Sequence, residues 1–156
     1  MVDIRFKPIH EQDDIVFIRN ERGENPRLLS GTVEAVNLHS VIVQSDNRIF
    51  QLTHHRRSFN EEHLINAVVL GKRPEVTGSI FDCTEYPIHN GDLVAFIEAP
   101  SQNFSTSLVI GEVVDLLSEG VKILVSSSVE QKYMRPPQEI VVINTSSIDL
   151  KGECDD

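Results

Sequence analysis

The pattern of hydrophobic and polar positions predicts short strands in the first half of the chain. Runs rich in Val, Ile, Leu and Phe alternate with short polar stretches that contain Gly, Asn, Asp or Pro. Such runs, bounded by turn-forming residues, are typical of β-strands. The first run is almost continuously apolar, so we expect both of its faces to be covered. The predicted strands are 13–19, 28–36, 41–43 and 49–53.

The second half repeats this pattern. Residues 8–18 and 87–97 are identical at six of eleven positions, and the match continues further along, where Gly31 corresponds to Gly111. A glycine inside a predicted strand indicates a bulge or a sharp bend. We interpret the chain as an internal duplication of one module. The strands predicted in the second half are 92–97, 108–117, 121–125 and 140–143, with 79–83 as a candidate for a further one.

Residues 58–72 follow a different spacing, which predicts a helix. Leu64, Ala67, Val68 and Gly71 recur at intervals of three and four residues, as on one face of a helix, and glycine is a natural helix stop. The sequence therefore predicts a mainly β chain in which a short α-helix joins two modules. The predicted organisation is a first barrel over 1–57, a helical linker over 58–74, a second barrel over 75–150 and a tail over 151–156.

Each module resembles the SH3-like small barrels, and most closely their KOW type. The shared pattern is a strand, a loop, a Gly-x-Val-x-x-Val segment, a tight turn and a Val-x-Val segment. It is carried by 13–18, Gly31, Val33, Val36, Val41 and Val43, and by 92–97, Gly111, Val113, Leu116, Val121 and Ile123.

This resemblance implies two SH3-like barrels that contact nucleic acid, although the basic, Gly-rich loop that usually precedes the KOW glycine is missing here. A tandem of such barrels in a small acidic protein is also similar to the MotB-type early DNA-binding proteins of T-even phages. That similarity implies DNA binding.

The net charge of −10 is confined to the second half of the chain. Residues 1–74 contain ten Lys or Arg and ten Asp or Glu, whereas residues 75–156 contain four and fourteen. Surface charge governs the choice of partner rather than the fold. We therefore expect the two modules to have different partners.

Basic residues cluster at the end of the first module and predict a phosphate-contacting patch. Arginine guanidinium groups grip phosphate oxygens and give salt-dependent binding that tolerates any base sequence. The alternative is that these polar residues only solvate a loop. The candidate nucleic-acid contacts are Arg48, His54, His55, Arg56, Arg57, Lys72 and Arg73.

A long loop is predicted over 126–138, and it contains Lys132, Tyr133 and Arg135. Exposed Tyr and Arg side chains are frequent at interface hot spots, and long loops often carry function. We therefore predict a protein-partner contact here, with an irregular insertion as the alternative.

No stretch of the sequence predicts catalysis, a metal site or a bound cofactor. His10 and His89 occupy equivalent places before a strand, so the repeat explains them, and neither Cys83 nor Cys154 has a metal-ligand neighbour at a CxxC spacing. No phosphate loop or nucleophile motif occurs. We expect two free thiols in a reducing compartment, no membrane association and no small-molecule substrate.

These observations predict a non-enzymatic cytoplasmic protein, nucleoid-associated if it binds DNA. Its first barrel is expected to bind DNA without sequence specificity, in association with transcription or chromatin-like complexes. Its acidic second barrel is expected to face a protein partner. The alternative is an acidic adaptor or inhibitor, able to mimic DNA, that binds a host or partner protein.

Overall fold

The structure, a computed structural model, describes residues 1–20, 23–53, 56–58, 61–64, 66–98, 108–126 and 129–145. The chain divides into two compact units, Met1–Gly71 with Ile97–Leu108, and Lys72–Phe96 with Val109–Asp156. Each unit is built on a five-stranded antiparallel sheet, which confirms the prediction of a mainly β chain. In the described part of the chain, no helix has the length and apolar character that a bilayer crossing needs.

The first sheet has the strand order β4-β3-β2-β1-β7. Its interior strand β1 has Ile15, Val16 and Phe17 fully buried, so the expectation that both faces are covered is confirmed. The strands β5 and β6 form a separate hairpin. The bounds are β1 Asp14–Arg19, β2 Arg27–Val36, β3 Val41–Ser45, β4 Arg48–Leu52, β5 Arg56–Ser58, β6 Glu61–His63 and β7 Ala67–Leu70.

The second sheet has the order β11-β10-β9-β8-β12, which is the order of the first sheet at equivalent places. A short 3-10 helix, Pro137–Glu139, precedes its last strand. The bounds are β8 Leu93–Ile97, β9 Leu108–Leu117, β10 Gly120–Val125, β11 Gln131–Arg135 and β12 Ile140–Asn144.

A buried aspartate ties the start of the first module to the last strand of its sheet. The carboxylate of Asp3, which has no exposed surface, accepts hydrogen bonds from the backbone N–H groups of Arg5 (2.8 Å), Lys7 (2.9 Å) and Val69 (2.7 Å). Because buried acceptors and donors need partners, this one side chain satisfies three backbone groups that no ladder bond reaches.

Asp82 makes the same arrangement in the second module. Its carboxylate accepts hydrogen bonds from the backbone N–H groups of Thr84 (2.7 Å), Tyr86 (3.0 Å) and Val142 (2.7 Å), and the residue is 4% exposed. We call Asp82 and the groups that bond to it the Asp82 network. Equivalent donors thus meet an equivalent carboxylate in both modules, and the two modules share their loop geometry as well as their strand order.

The two central hairpins share a β-bulge. The β2–β3 register skips Glu34, and the β9–β10 register skips Val114 at the equivalent position. Just before each bulge, the partner strand approaches a glycine closely. A Cβ atom on Gly31 would lie 2.5 Å from the carbonyl oxygen of Gln44, and one on Gly111 would lie 2.6 Å from a methyl of the neighbouring strand. The predicted bend is therefore a bulge, and these glycines permit the close approach of the partner strands.

Each sheet packs on an apolar core made by equivalent residues. The first core centres on β1 and its neighbours, and the second on β8 and its neighbours. The alternation of buried and exposed residues along β3 reflects the strand period of two. Core residues at matching places are Ile15, Phe17, Val33, Val41 and Val43 in the first sheet, and Val94, Phe96, Val113, Val121 and Ile123 in the second.

The helix predicted over 58–72 is wrong in the described part of that segment. Residues 61–63 belong to the β5–β6 hairpin, and Ala67, Val68 and Val69 are buried in β7, where they pair with β1. Leu64, Ala67, Val68 and Gly71 match the helical period. Residues 67–69, however, pair with the interior strand β1, and all three are buried on whichever face of the sheet they lie. Tertiary pairing has overridden the local pattern.

The loop predicted over 126–138 is also wrong, because β11 lies within it. The connection that precedes the last strand of each sheet is longer in the first module. Residues 53–66 join β4 to β7, whereas residues 136–139 join β11 to β12. The candidate strand at 79–83 is an isolated bridge between Phe81 and Pro87.

Candidate nucleic-acid interface

The predicted basic residues are distributed over both units. Arg48 begins β4 and is exposed, and the backbone of Arg56 and Arg57 lies in β5. His54 and His55 lie outside the described residues. The remaining two, which are Lys72 and Arg73, belong to the second unit.

Arg73 is part of the Asp82 network. Its Nη1 donates to the carbonyl oxygen of Val142 at 3.0 Å and lies 3.4 Å from the carboxylate of Asp82, while its Nη2 donates to the hydroxyl of Thr84 at 3.0 Å. Its Cζ atom is 4.3 Å from the centre of the Tyr86 ring. With 17% of the side chain exposed, Arg73 stabilises the second sheet.

The first unit also has an arginine that donates to a carbonyl oxygen of the last strand of its sheet, but this arginine comes from another place in the chain. Arg5 Nη2 donates to the carbonyl oxygen of Val69 at 3.0 Å, and Val69 is the equivalent of Val142. The position of Arg5 is occupied by Thr84 in the second module. An arginine therefore belongs to the buried aspartate site in both units, which explains Arg73 without a nucleic-acid contact.

A cleft of about 280 Å³ opens in the first unit, where the end of β1, strand β4 and the residue before β7 come together. Its described lining contains two arginines, three side-chain amides and no carboxylate. We name it the Arg19–Arg48 cleft. It is lined by Phe17, Ile18, Arg19, Asn20, Arg48, Phe50, Gln51, Leu52, Thr53 and Asn66.

The sheet positions an aromatic ring and a guanidinium group together in this cleft. Phe50 packs against Phe17 with ring centres 5.2 Å apart and planes inclined by 55°, and the Cζ atom of Arg48 lies 4.9 Å from the Phe50 ring centre. This separation is that of a cation–π contact. Asn66 is placed by its carbonyl oxygen, which accepts a hydrogen bond from Ile18 N–H at 3.0 Å.

The side-chain oxygen of Asn66 is buried and has no hydrogen-bond partner among the described residues. A buried acceptor without a partner is costly. The lining of the cleft combines two guanidinium groups, an aromatic ring and side-chain amides. This combination suits phosphate oxygens and planar polar rings.

The second sheet repeats the aromatic pair with different polar groups. Phe96 and Tyr133 have ring centres 5.1 Å apart, and the Cζ atom of Arg135 lies 5.3 Å from each ring. Tyr133 and Arg135 are half-buried, whereas Lys132 is exposed on the same strand. The three residues predicted to contact a partner therefore lie on β11, and two of them pack against the sheet.

The cationic positions of the cleft have not been kept in the second copy. Arg19 corresponds to Glu98 along the repeated segment, and Arg48 corresponds to Gln131 in the register of β4 and β11. The aromatic pair is retained in the second copy. The charge at the position of Arg19 is reversed, and the charge at the position of Arg48 is lost. These two cationic positions are thus specific to the first copy, although Arg135 places a different guanidinium group beside the aromatic pair of the second.

In the part of the chain that the structure describes, His10, His89, His63 and Cys83 show no reactive arrangement. His10 and His89 each lie 3.9 Å from an aspartate three residues later, and His63 is buried in a stack with Phe6, with ring centres 4.3 Å apart. Among the described residues, no group of three or more His, Cys, Asp or Glu side chains could hold a metal ion. Burial, reinforced by the neighbouring Asp82 carboxylate, raises the pKa of the Cys83 thiol to about 12.

Sequence reasoning missed Arg19 and Asn66. Arg19 ends a strand whose apolar residues repeat, so the change to Glu98 in the second copy was a visible signal. Asn66 gave no signal, because its role depends on the pairing of β7 with β1. No family model, no curated protein and no solved structure matches the chain. A proposal about function therefore rests on the geometry of the cleft and on the internal repeat.

Proposed function

We propose that the chain is a non-enzymatic protein that binds DNA without sequence specificity through the Arg19–Arg48 cleft of its first unit. The observation that carries this proposal is the grouping of Arg19, Arg48 and the Phe50 ring around one cleft. Guanidinium forks hold phosphate oxygens, and an aromatic face accepts any base, so neither contact reads sequence.

The architecture proposed for each unit is an SH3-like barrel of the KOW type. The shared strand order, the shared bulge and the short 3-10 helix before β12 support it. The resemblance to KOW-type barrels implies contact with nucleic acid. The proposed setting is a transcription or nucleoid complex in the cytoplasm.

Because the first unit has a net negative charge, its binding to DNA depends on where its cationic side chains lie rather than on its total charge. The first unit contains eight Lys or Arg and eleven Asp or Glu, because Lys72 and Arg73 belong to the second unit and Glu98 to the first. Binding therefore depends on a local cationic site and is expected to be strongest at low salt. Arg56 and Arg57 remain part of the proposal, since β5 begins three residues after the cleft residue Thr53.

Fluorescence anisotropy with a labelled oligonucleotide of mixed sequence tests the proposal. The double variant Arg19→Ala/Arg48→Ala is expected to lose binding at low salt, and each lost phosphate contact lowers the log–log salt slope by about one. The matched control, Lys122→Ala/Lys132→Ala on the second sheet, also removes two cations and should bind as the wild type does. Equal affinities for all three proteins would refute the assignment.

A second candidate is an acidic adaptor or inhibitor that binds a basic partner protein. It is favoured by β9, where Glu112 and Asp115 are exposed beside Val114 and Leu117, which are 38% and 36% exposed. Pull-down from lysate with and without nuclease separates the candidates. Partners retained after nuclease treatment, and lost in Glu112→Lys/Asp115→Lys, support the adaptor.

A further inference from the structure

We propose that the Arg19–Arg48 cleft receives one unpaired nucleobase, so that the protein prefers single-stranded to duplex DNA. This inference rests on the proposed nucleic-acid binding and adds the form of the ligand. It follows from the size of the cleft, its stacking surface and the side-chain amide of Asn66 in its lining.

The size of the cleft suits a single planar group. Its volume of about 280 Å³ lies near the lower end of small-ligand sites, which span roughly 300–1,000 Å³. In a duplex, each base is paired and stacked between neighbours, and it enters a protein cleft only after it has been extruded at an energetic cost. A single strand presents its bases without that cost, so it is the form that fills this site.

The chemistry of the cleft also matches a base rather than a bare phosphate. Phe50 and the Arg48 guanidinium, 4.9 Å from its ring centre, present flat surfaces of the kind on which bases stack. Asn66 lines the same cleft, and a side-chain amide can both accept from and donate to the edge of a base. Arg19 lines the same cleft and fits a flanking phosphate.

The equivalent site of the second sheet provides an internal control. Tyr133 occupies the place of Phe50 and keeps the aromatic pair with Phe96, but Gln131 stands in the place of Arg48. We therefore expect Phe50→Leu to weaken single-strand binding, whereas Tyr133→Leu leaves it unchanged. Both changes replace an aromatic ring by leucine at equivalent positions, and Tyr133→Leu also removes the hydroxyl that donates to the side chain of Gln131.

The test is an anisotropy competition between a short oligodeoxyadenosine and a mixed-sequence duplex of the same length. The wild type should bind the single strand at least about 5-fold more tightly, and Phe50→Leu should lose between about 5- and 150-fold in that affinity while its duplex affinity stays unchanged. Arg48→Lys, which keeps the charge but removes the planar group, should also lower the affinity for the single strand. This variant replaces Phe50→Leu in the test if Phe50→Leu does not fold.

The outcomes separate this inference from the proposed function. Equal affinity for the single strand and the duplex, with both unchanged in Phe50→Leu, overturns the inference and leaves DNA binding in place. Failure of the wild type to bind either form overturns both. Single-strand binding that Tyr133→Leu weakens as much as Phe50→Leu also overturns it, because the site would then not be specific to the first sheet.

Discussion

Replacing Asp82 by Asn should strongly destabilise the second unit. One carboxylate oxygen of Asp82 accepts bonds from the backbone N–H groups of Thr84 and Tyr86, and the other accepts from Val142 N–H and faces Arg73 at 3.4 Å. Asn can keep only one acceptor oxygen, so its amide N–H₂ points at donors on the other side. The substitution removes a charge-assisted bond and leaves a buried backbone N–H without an acceptor.

The magnitude follows from these contacts. A hydrogen bond to a charged group contributes about 1.5–3 kcal/mol, and a buried donor left without a partner costs about 1–3 kcal/mol. Breaking a buried ion pair by removing one partner typically costs about 3–5 kcal/mol, which agrees with that sum. We therefore expect Asp82→Asn to lower the free energy of unfolding by about 3–5 kcal/mol, a large share of the roughly 5–15 kcal/mol of a typical domain.

Tyrosine fluorescence during urea unfolding measures this change in the second unit alone. The chain has two tyrosines and no tryptophan, and both Tyr86 and Tyr133 belong to the second unit. The matched control is Glu112→Gln, which neutralises an exposed carboxylate on β9 and should change stability by less than about 0.5 kcal/mol. If Asp82→Asn shifted the unfolding midpoint no more than this control does, the structural role of the Asp82 network would be refuted.

Three further predictions concern packing, thiol chemistry and Arg73. Gly31→Ala should cost about 1–3 kcal/mol in urea unfolding followed by circular dichroism, because the added methyl meets the backbone 2.5 Å away, whereas Gly71→Ala, with open space around it, should stay within about 0.5 kcal/mol. In a Cys154→Ser background, Cys83 should react with a thiol reagent at pH 8 only after unfolding, since burial raises its thiol pKa from 9.0 to about 12. As the pH rises above 9.0, the unfolded chain loses this proton first, so stability should fall by roughly 1 kcal/mol per pH unit, a decline that Cys83→Ala lacks. Arg73→Met should lower the thermal midpoint yet leave DNA affinity unchanged in anisotropy, and a loss of affinity in a variant that stays folded would contradict its structural assignment.

The repeat was visible in the sequence because buried residues retain their chemistry. Ile15, Phe17 and Val33 lie in a core where only apolar side chains of similar size fit, so their counterparts remain recognisable. The rim of the cleft is under no such constraint, and the replacement of Arg19 by Glu98 shows how freely a surface position changes. The pattern therefore predicted the sheets better than the site.

The errors have a common physical cause, which is pairing between strands distant in sequence. Strand β11 (Gln131–Arg135) contains Lys132 and Arg135, and it is recognisable as a strand only through its register with β10. Strand β7 satisfied a helical spacing, but its place beside β1 depends on residues fifty or more positions away. The role of Asp3 was hidden for the same reason, although its identity with Asp82 extends the repeat toward the N-terminus.

Backbone amide NMR during titration with a short oligonucleotide tests the central claim most directly, because it reports each residue of both units at once. We predict that the shifts concentrate at Arg19, Asn20, Arg48 through Thr53 and Asn66, with little change at Gln131 through Arg135. Shifts confined to the second sheet, or no shifts at low salt, would contradict the assignment of the Arg19–Arg48 cleft as the site of DNA binding.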